Sequence, residues 1–212
     1  GHPGPAATQA VTIETSAPAT PAAPTSYEDD VGPVTDSAST ATATDDTRPG
    51  INIGAGLTDT PTLYVDGAEV AATYDATTGT LTPDVALGEG SYALTYTLTD
   101  AAGNESMPSG ALNLTVDTTA PTAPTVDALT TSDTTPTITG TATLGAGETL
   151  SVTINGATYD NVTVTGGVWS IDTATAVPSN GTLGTFSDGS YEVAATVTDT
   201  ASNTASDSSS DE

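Results

Sequence analysis

The feature that most constrains this chain is that it says nearly the same thing twice. Gly90 to Asn104 reads GSYALTYTLTDAAGN, and Gly189 to Asn203 reads GSYEVAATVTDTASN, an offset of 99 with eight of fifteen positions identical. Upstream, Glu14-Thr15-Ser16-Ala17-Pro18 with Pro21 recurs as Asp117-Thr118-Thr119-Ala120-Pro121 with Pro124, an offset of 103. A period of about 100 residues is the length of one small domain, so two homologous units must fold the same way in tandem. Unit one runs over 14–116 and unit two over 117–212. Residues 1–13 precede both, and Val11-Thr12-Ile13 stands before Glu14 as Leu114-Thr115-Val116 stands before Asp117. The N-terminal segment is therefore expected to carry the last strand of a preceding domain.

Within each unit the apolar residues recur at every second position, and the types are Thr, Val, Ile, Leu and Tyr, which suit a half-buried pleated strand. Thr137-Ile138-Thr139, Leu150 to Ile154, Tyr191 to Val197 and Ala111 to Val116 are predicted strands. Val65-Asp66-Gly67-Ala68 and Ile154-Asn155-Gly156-Ala157 place Asp-Gly and Asn-Gly between such runs, the strongest local hairpin signal. No stretch shows helical periodicity. The pattern predicts an all-β chain: two tandem immunoglobulin-like antiparallel β-sandwiches, joined end to end by the short Pro-rich linker Ala120 to Pro124, whose fixed dihedrals restrict swing. Unit one carries an insert, and its polar run Tyr27-Glu28-Asp29-Asp30-Val31-Gly32 is expected to be a loop. Unit two lacks a counterpart to the strand at Ala111 to Val116, because after Asn203 the chain has little apolar content. Its last strand is expected to be missing, leaving the edge of Tyr191 to Val197 open. Trp169, between Val168 and Ile171, is expected to anchor a core, and Thr-x-Thr runs such as Thr163-Val164-Thr165 to supply outward positions on strands.

Composition removes most chemistry. One Lys or Arg against 27 Asp and Glu gives a formal net charge of -26, and there is one His and no Cys. A lone Arg48 cannot neutralise a phosphate backbone, so nucleic acid is excluded as a partner. Without Cys, and with His2 alone at the terminus, thiol and Ser-His-Asp machinery lack their groups, and an enzyme is not expected. No apolar run approaches the roughly 20 residues needed to cross a bilayer, so membrane insertion is not expected, and no secretory leader is recognised. Uncompensated carboxylates at this density repel one another unless a cation neutralises them, and calcium outside the cell is the obvious supply.

Three features taken together resemble the tandem bacterial Ig-like repeats of giant RTX adhesins. They are the Asp/Glu-x-x-Ala-Pro linker, the Asp-x-x-Pro pairs (Asp46 with Pro49, Asp133 with Pro136), and Gly-Ser-Tyr followed by Thr-Asp-x-x-x-Asn. The resemblance implies an extender segment of a calcium-dependent biofilm or ice-binding adhesin, exported by type I secretion to the bacterial cell surface. It further implies calcium at the domain junctions, stiffening a stalk that projects a distal ligand-binding domain. The implied partners are neighbouring repeats of the same polypeptide, and the isolated pair of units is expected to be monomeric.

Topology independently suggests where cations would gather. In an antiparallel sandwich successive loops alternate between ends, so the first loop of unit one, with Asp45 and Asp46, and the last loop of unit two, with Asp199 and Asn203, face the same junction. Asp117 lies in the linker between them. Asp133 is the unit-two counterpart of Asp46, and Glu14, Asp100 and Asn104 form the equivalent set at the front of unit one. Calcium takes six to eight such oxygens. The simpler account is that Asp and Asn at these places only form turns. Two readings of function follow: a mechanical spacer, or an Ig-like module that binds a glycan or a protein.

Overall fold

A computed structural model describes residues 11–207, and among them there are strands, turns and extended segments but no helix. In unit one, one sheet runs in the order Asp36–Ser39, Tyr27–Asp29, Gly50–Asn52, Thr80–Pro83, Ala72–Asp75. The facing sheet runs Ala43–Thr44, Leu112–Val116, Gly90–Thr99, Thr60–Val65, Ala68–Val70. The period-two pattern turns Leu63, Leu94, Tyr96 and Leu114 of the second sheet onto Ile51 and Leu81 of the first. Pairing is antiparallel apart from Ala43–Thr44, which lies parallel to Thr115–Val116.

Unit two repeats the plan. Thr125–Val126, Thr137–Thr141, Val168–Asp172 and Val164–Thr165 form one sheet, and Asn180–Gly181, Ala157–Tyr159, Thr149–Ile154, Val193–Thr198 and Thr204–Ser206 the other. Leu150, Val152, Ile154, Ala195 and Val197 meet Ile138, Trp169 and Ile171 across the core. Trp169 is buried, and its indole N–H donates to the Thr125 carbonyl at 3.1 Å, which satisfies the one polar atom of the largest core side chain. Gly140 makes this possible, since a Cβ there would collide with that carbonyl and with the Trp169 ring.

Both hairpins form at the expected dipeptides. Asp66 and Gly67 have φ of 51° and 79°, Asn155 and Gly156 of 43° and 87°, the consecutive positive values of a two-residue turn. They pair Val65 with Ala68 and Ile154 with Ala157.

Two expectations need correction. Tyr27–Asp29 is a strand, not a loop, paired with Asp36–Ser39 and Gly50–Asn52. Its cause is Tyr27, a fully buried aromatic in a polar run, whose hydroxyl donates to the Ala43 carbonyl at 3.2 Å. Second, the edge of Tyr191 to Val197 is not open along its whole length: Thr204–Ser206 pairs with Thr196–Thr198. Backbone hydrogen bonds need no apolar side chains, so a Thr/Ser segment can take a strand edge. By the offset of 99, the counterpart of Leu112 is position 211, outside the described residues. Val11 and Ile13 are exposed, at 75% and 84%, and the segment between them pairs with no strand among the described residues.

Candidate functional site

The two Thr-Asp-x-x-x-Asn segments fold into the same turn. The Asp199 carboxylate accepts from the backbone N–H of Ala201 and Asn203 at 2.8 and 2.9 Å and from the Asn203 amide at 2.9 Å. Asp100 does the same with Ala102 and Asn104, at 2.9, 2.8 and 2.9 Å. The Asn104 side chain, aided by these backbone donors, holds the Asp100 carboxyl below its ordinary value. The remaining donor of each Asn amide reaches the linker ahead of its unit. Asn203 Nδ2 donates to the Asp117 carbonyl at 2.8 Å, and Asn104 Nδ2 to the Glu14 carbonyl at 3.2 Å. The turn reading of these residues is thus correct, and the turn also clasps the incoming chain.

Unit one grips the same linker from the other side. Asp117 N–H donates to the Thr44 carbonyl at 2.9 Å, continuing the ladder of the last strand. Glu89 accepts from the hydroxyls of Thr118 and Thr119 at 2.8 and 2.6 Å, which lower its pKa, Thr119 most.

Between these two grips lies an acidic gap. Asp46 is 3% exposed, its carboxylate accepting from the Arg48 N–H at 2.7 Å. Burial pushes its carboxyl above the usual range, and the charges of Asp30, Asp29 and Asp45 add to the shift. Asp45 is raised likewise, by burial first, then by Asp29, and by Asp199 from unit two. Asp45 Oδ1 is buried, with no hydrogen-bond partner among the described residues. The loop after Asp29 closes over this carboxylate because residue 32 is Gly, with φ of 76°; a Cβ there would collide with Asp45. A buried, unpartnered carboxylate oxygen among like charges is costly. The residues fit calcium in oxygen chemistry and charge, although among the described residues no three or more carboxylates or imidazoles are drawn close enough to hold a metal ion as they stand.

The other candidates fall elsewhere. Glu14 and Asp100 line an open hollow of about 670 Å³ at the front of unit one that also touches Asp59, and Asn104 joins them through its bond to the Glu14 carbonyl. Asp133 lies at the far end of unit two, where it accepts from the Thr135 N–H at 2.9 Å, and joins none of the junction carboxylates.

Comparison with protein families gives a match to the profile described as "Bacterial Ig-like domain" over residues 21–118 and again over 123–211. The chain belongs to that family. Among solved structures, these two Ig-like domains are similar to the fibronectin(III)-like modules of CbhA from Clostridium thermocellum, at 11% identity and a TM-score of 0.46, with 92% of this chain and 90% of that chain covered. They are also similar to a 1.5-MDa bacterial ice-binding adhesin, at 23% identity and a TM-score of 0.32, covering 79% and 58%. SGBP-B of Bacteroides ovatus, solved with a mixed-linkage heptasaccharide, gives 16% identity and 0.30, covering 94% and 47%. No curated protein sequence matches the chain.

Sequence reasoning missed three residues of the Ig-like junction. Asp29 and Asp30 were available as an acidic pair in the insert of unit one, but only the strand at Tyr27 carries them to the Asp45 loop. Glu89 stands one residue before the repeated Gly-Ser-Tyr, and its counterpart Asp188 keeps the acidic character, a signal that the repeat itself contained.

Proposed function

We propose that this tandem pair of bacterial Ig-like domains is an extender segment of a bacterial surface adhesin, rigidified by calcium at the domain junction. The observation that carries this reading is Asp45: a carboxylate oxygen buried without a partner, beside Asp29, Asp46 and the Asp199 of the next unit. In the absence of a cation these charges oppose docking of the two units, while the Asn203 and Glu89 hydrogen bonds favour it. Calcium would reverse the sign of the electrostatic contribution. Asp29, Asp30, Asp45, Asp46 and Asp199 are the side chains that would supply oxygens, with the Asp117 segment between them. The role is mechanical, holding a distal ligand-binding domain away from a cell reached by type I secretion, and it requires no catalysis.

The test is thermal melting and small-angle scattering of the full chain in calcium and in EDTA. At a Kd of about 10⁻⁴ to 10⁻³ M, the range of extracellular calcium modules, about 10 mM calcium stabilises by roughly 1.4 to 2.7 kcal/mol. The expected result is a melting temperature several degrees higher and a narrower distribution of lengths, both lost in Asp45→Asn. Identical curves in the two conditions would reject calcium at the junction. A saturable ligand on a glycan array would favour the binding-module reading instead.

A further inference from the structure

Seven asparagines stand in the chain, and two of them, Asn155 and Asn180, are followed by glycine. The dipeptide matters because the backbone nitrogen after an asparagine can attack that residue's own side-chain amide, and glycine has no Cβ to keep the two apart. Geometry decides whether it does so, since reacting atoms held at about 3 to 3.5 Å gain many orders of magnitude in rate over the same groups left free. The two copies are held very differently.

Asn155-Gly156 forms the two-residue turn between Thr149–Ile154 and Ala157–Tyr159, with both φ values positive. Asn155 Nδ2 is buried, with no partner among the described residues, and Gly184 lies so close over the amide that a Cβ there would collide with it. Gly184 N–H also donates to the Asn155 carbonyl at 3.0 Å, which fixes the turn from outside. Ammonia cannot leave this amide, nor water reach it, without breaking that cover. Asn180-Gly181 is the opposite case. Both residues are exposed, and the Gly181 N–H donates to the Asn180 side-chain oxygen at 2.8 Å. The nitrogen is thus already folded against the amide that it would attack. Tertiary pairing holds it there: Asn180–Gly181 pairs with Ala157–Thr158, and Gly181, with φ of 74°, packs on the Gly156 carbonyl where a Cβ would collide.

We infer that Asn180 is a self-modification site, which deamidates through a ring closed by the Gly181 nitrogen, with water as the only co-reactant. A solvent base takes the Gly181 proton, the nitrogen bonds to Asn180 Cγ, and the side-chain nitrogen leaves as ammonia with a proton from solvent, giving a succinimide. Water then opens the ring. Attack at Cγ leaves aspartate, while attack at the main-chain carbonyl leaves isoaspartate, in which the backbone runs through the former side chain and gains one carbon. Nothing is oxidised or reduced, and either product adds a negative charge. Asn180–Gly181 is a two-residue strand at the outside of its sheet, too short to absorb an extra backbone atom. Isoaspartate therefore ends its pairing with Ala157–Thr158 and uncovers that edge.

The test is mass spectrometry of peptides from the full chain, aged in warm buffer at neutral and at mildly alkaline pH. The expected result is conversion at Asn180 at least tenfold faster than at Asn155, quicker at the higher pH because the Gly181 proton must leave, and with isoaspartate among the products. In urea, which removes the fold, the two sites should react at comparable rates. Asn180→Gln, whose longer side chain closes a ring far more slowly, should stop the reaction and leave the melting of unit two unchanged. Aged wild type, but not aged Asn180→Gln, should exchange the amide hydrogens of Ala157 and Thr158 faster. Conversion at Asn155 as fast as at Asn180 in the folded chain would overturn the inference. A tenfold preference that survives in urea would overturn it too, since local sequence rather than the fold would then set the rate. Unchanged exchange in the aged wild type would refute the loss of pairing.

Discussion

The turns Asp100 to Asn104 and Asp199 to Asn203 make the same internal hydrogen bonds, yet they do different work. Ala102 is exposed, whereas its counterpart Ala201 is 2% exposed, and only Asp199 adds its charge to that of a buried carboxylate in a preceding unit. Asn203 holds its linker carbonyl at 2.8 Å and Asn104 at 3.2 Å. The difference lies in what stands in front of each turn. A domain with Asp29, Asp30, Asp45 and Asp46 at its exit end faces the second turn, while among the described residues the segment of Thr12, Glu14 and Ser16 faces the first. A self-sufficient turn therefore adds its charge to a buried acidic cluster only where another copy of the fold is set against it.

The largest expected effect tests whether the turns are equivalent at all. Asp100→Ala and Asp199→Ala each leave two backbone N–H groups and an Asn amide without their acceptor, so each should lower the melting of its own unit by several degrees. Differential scanning calorimetry of both variants checks this. The comparison breaks if one turn tolerates the change. It sharpens if both variants melt early but only Asp199→Ala blunts the calcium response.

A smaller effect separates clasp from turn. Asn203→Ala removes the hydrogen bond to Asp117, worth about 1 kcal/mol, or roughly fivefold in the ratio of docked to undocked units. Scattering in EDTA should show a broader range of lengths for Asn203→Ala and no change for Asn104→Ala, whose clasp on the Glu14 carbonyl does not join the two units. Equal behaviour of the two would show that the prolines alone set the geometry.

The smallest effect is that of pH, and its sign follows from the direction of each shift. Asp45 and Asp46 have folded pKa values raised above the ordinary 3.8, so their ionisation costs stability; that cost is absent below the ordinary value and complete above the raised one. Asp100 and Glu89 are held below their ordinary values, so their contribution is present at neutral pH and is lost only as pH falls through the lowered values. In EDTA, lowering the pH from neutral through the raised values of Asp45 and Asp46 should therefore raise the melting of unit one, before Asp100 and Glu89 protonate at their lowered values. Asp45→Asn should reduce the rise, and calcium should abolish it.

Much of this was legible in the residues. The doubled Gly-Ser-Tyr segment set the number of units, the period-two alternation set the strands, and Asp66-Gly67 and Asn155-Gly156 set the hairpins, because each of these is a local preference that burial on one face reinforces. Loop alternation was enough to bring Asp45, Asp46, Asp117, Asp199 and Asn203 to one end-to-end boundary, since an antiparallel chain can return to an end only at every second loop. What lay beyond the sequence were the decisions that depend on long-range pairing. Tyr27–Asp29 became a strand because one buried ring found a core 24 residues ahead at Ile51, and that pairing delivered two carboxylates that composition had assigned to a loop. Thr204–Ser206 became a strand because an open edge supplied backbone partners that its side chains gave no sign of seeking. Which carboxylate was left without a partner was decided the same way. Asp46 and its counterpart Asp133 each accept from a backbone N–H two residues on, but only in unit one does Gly32 pack over the neighbouring Asp45 and bury an oxygen there, and burial is a property of what surrounds a residue rather than of the residue itself.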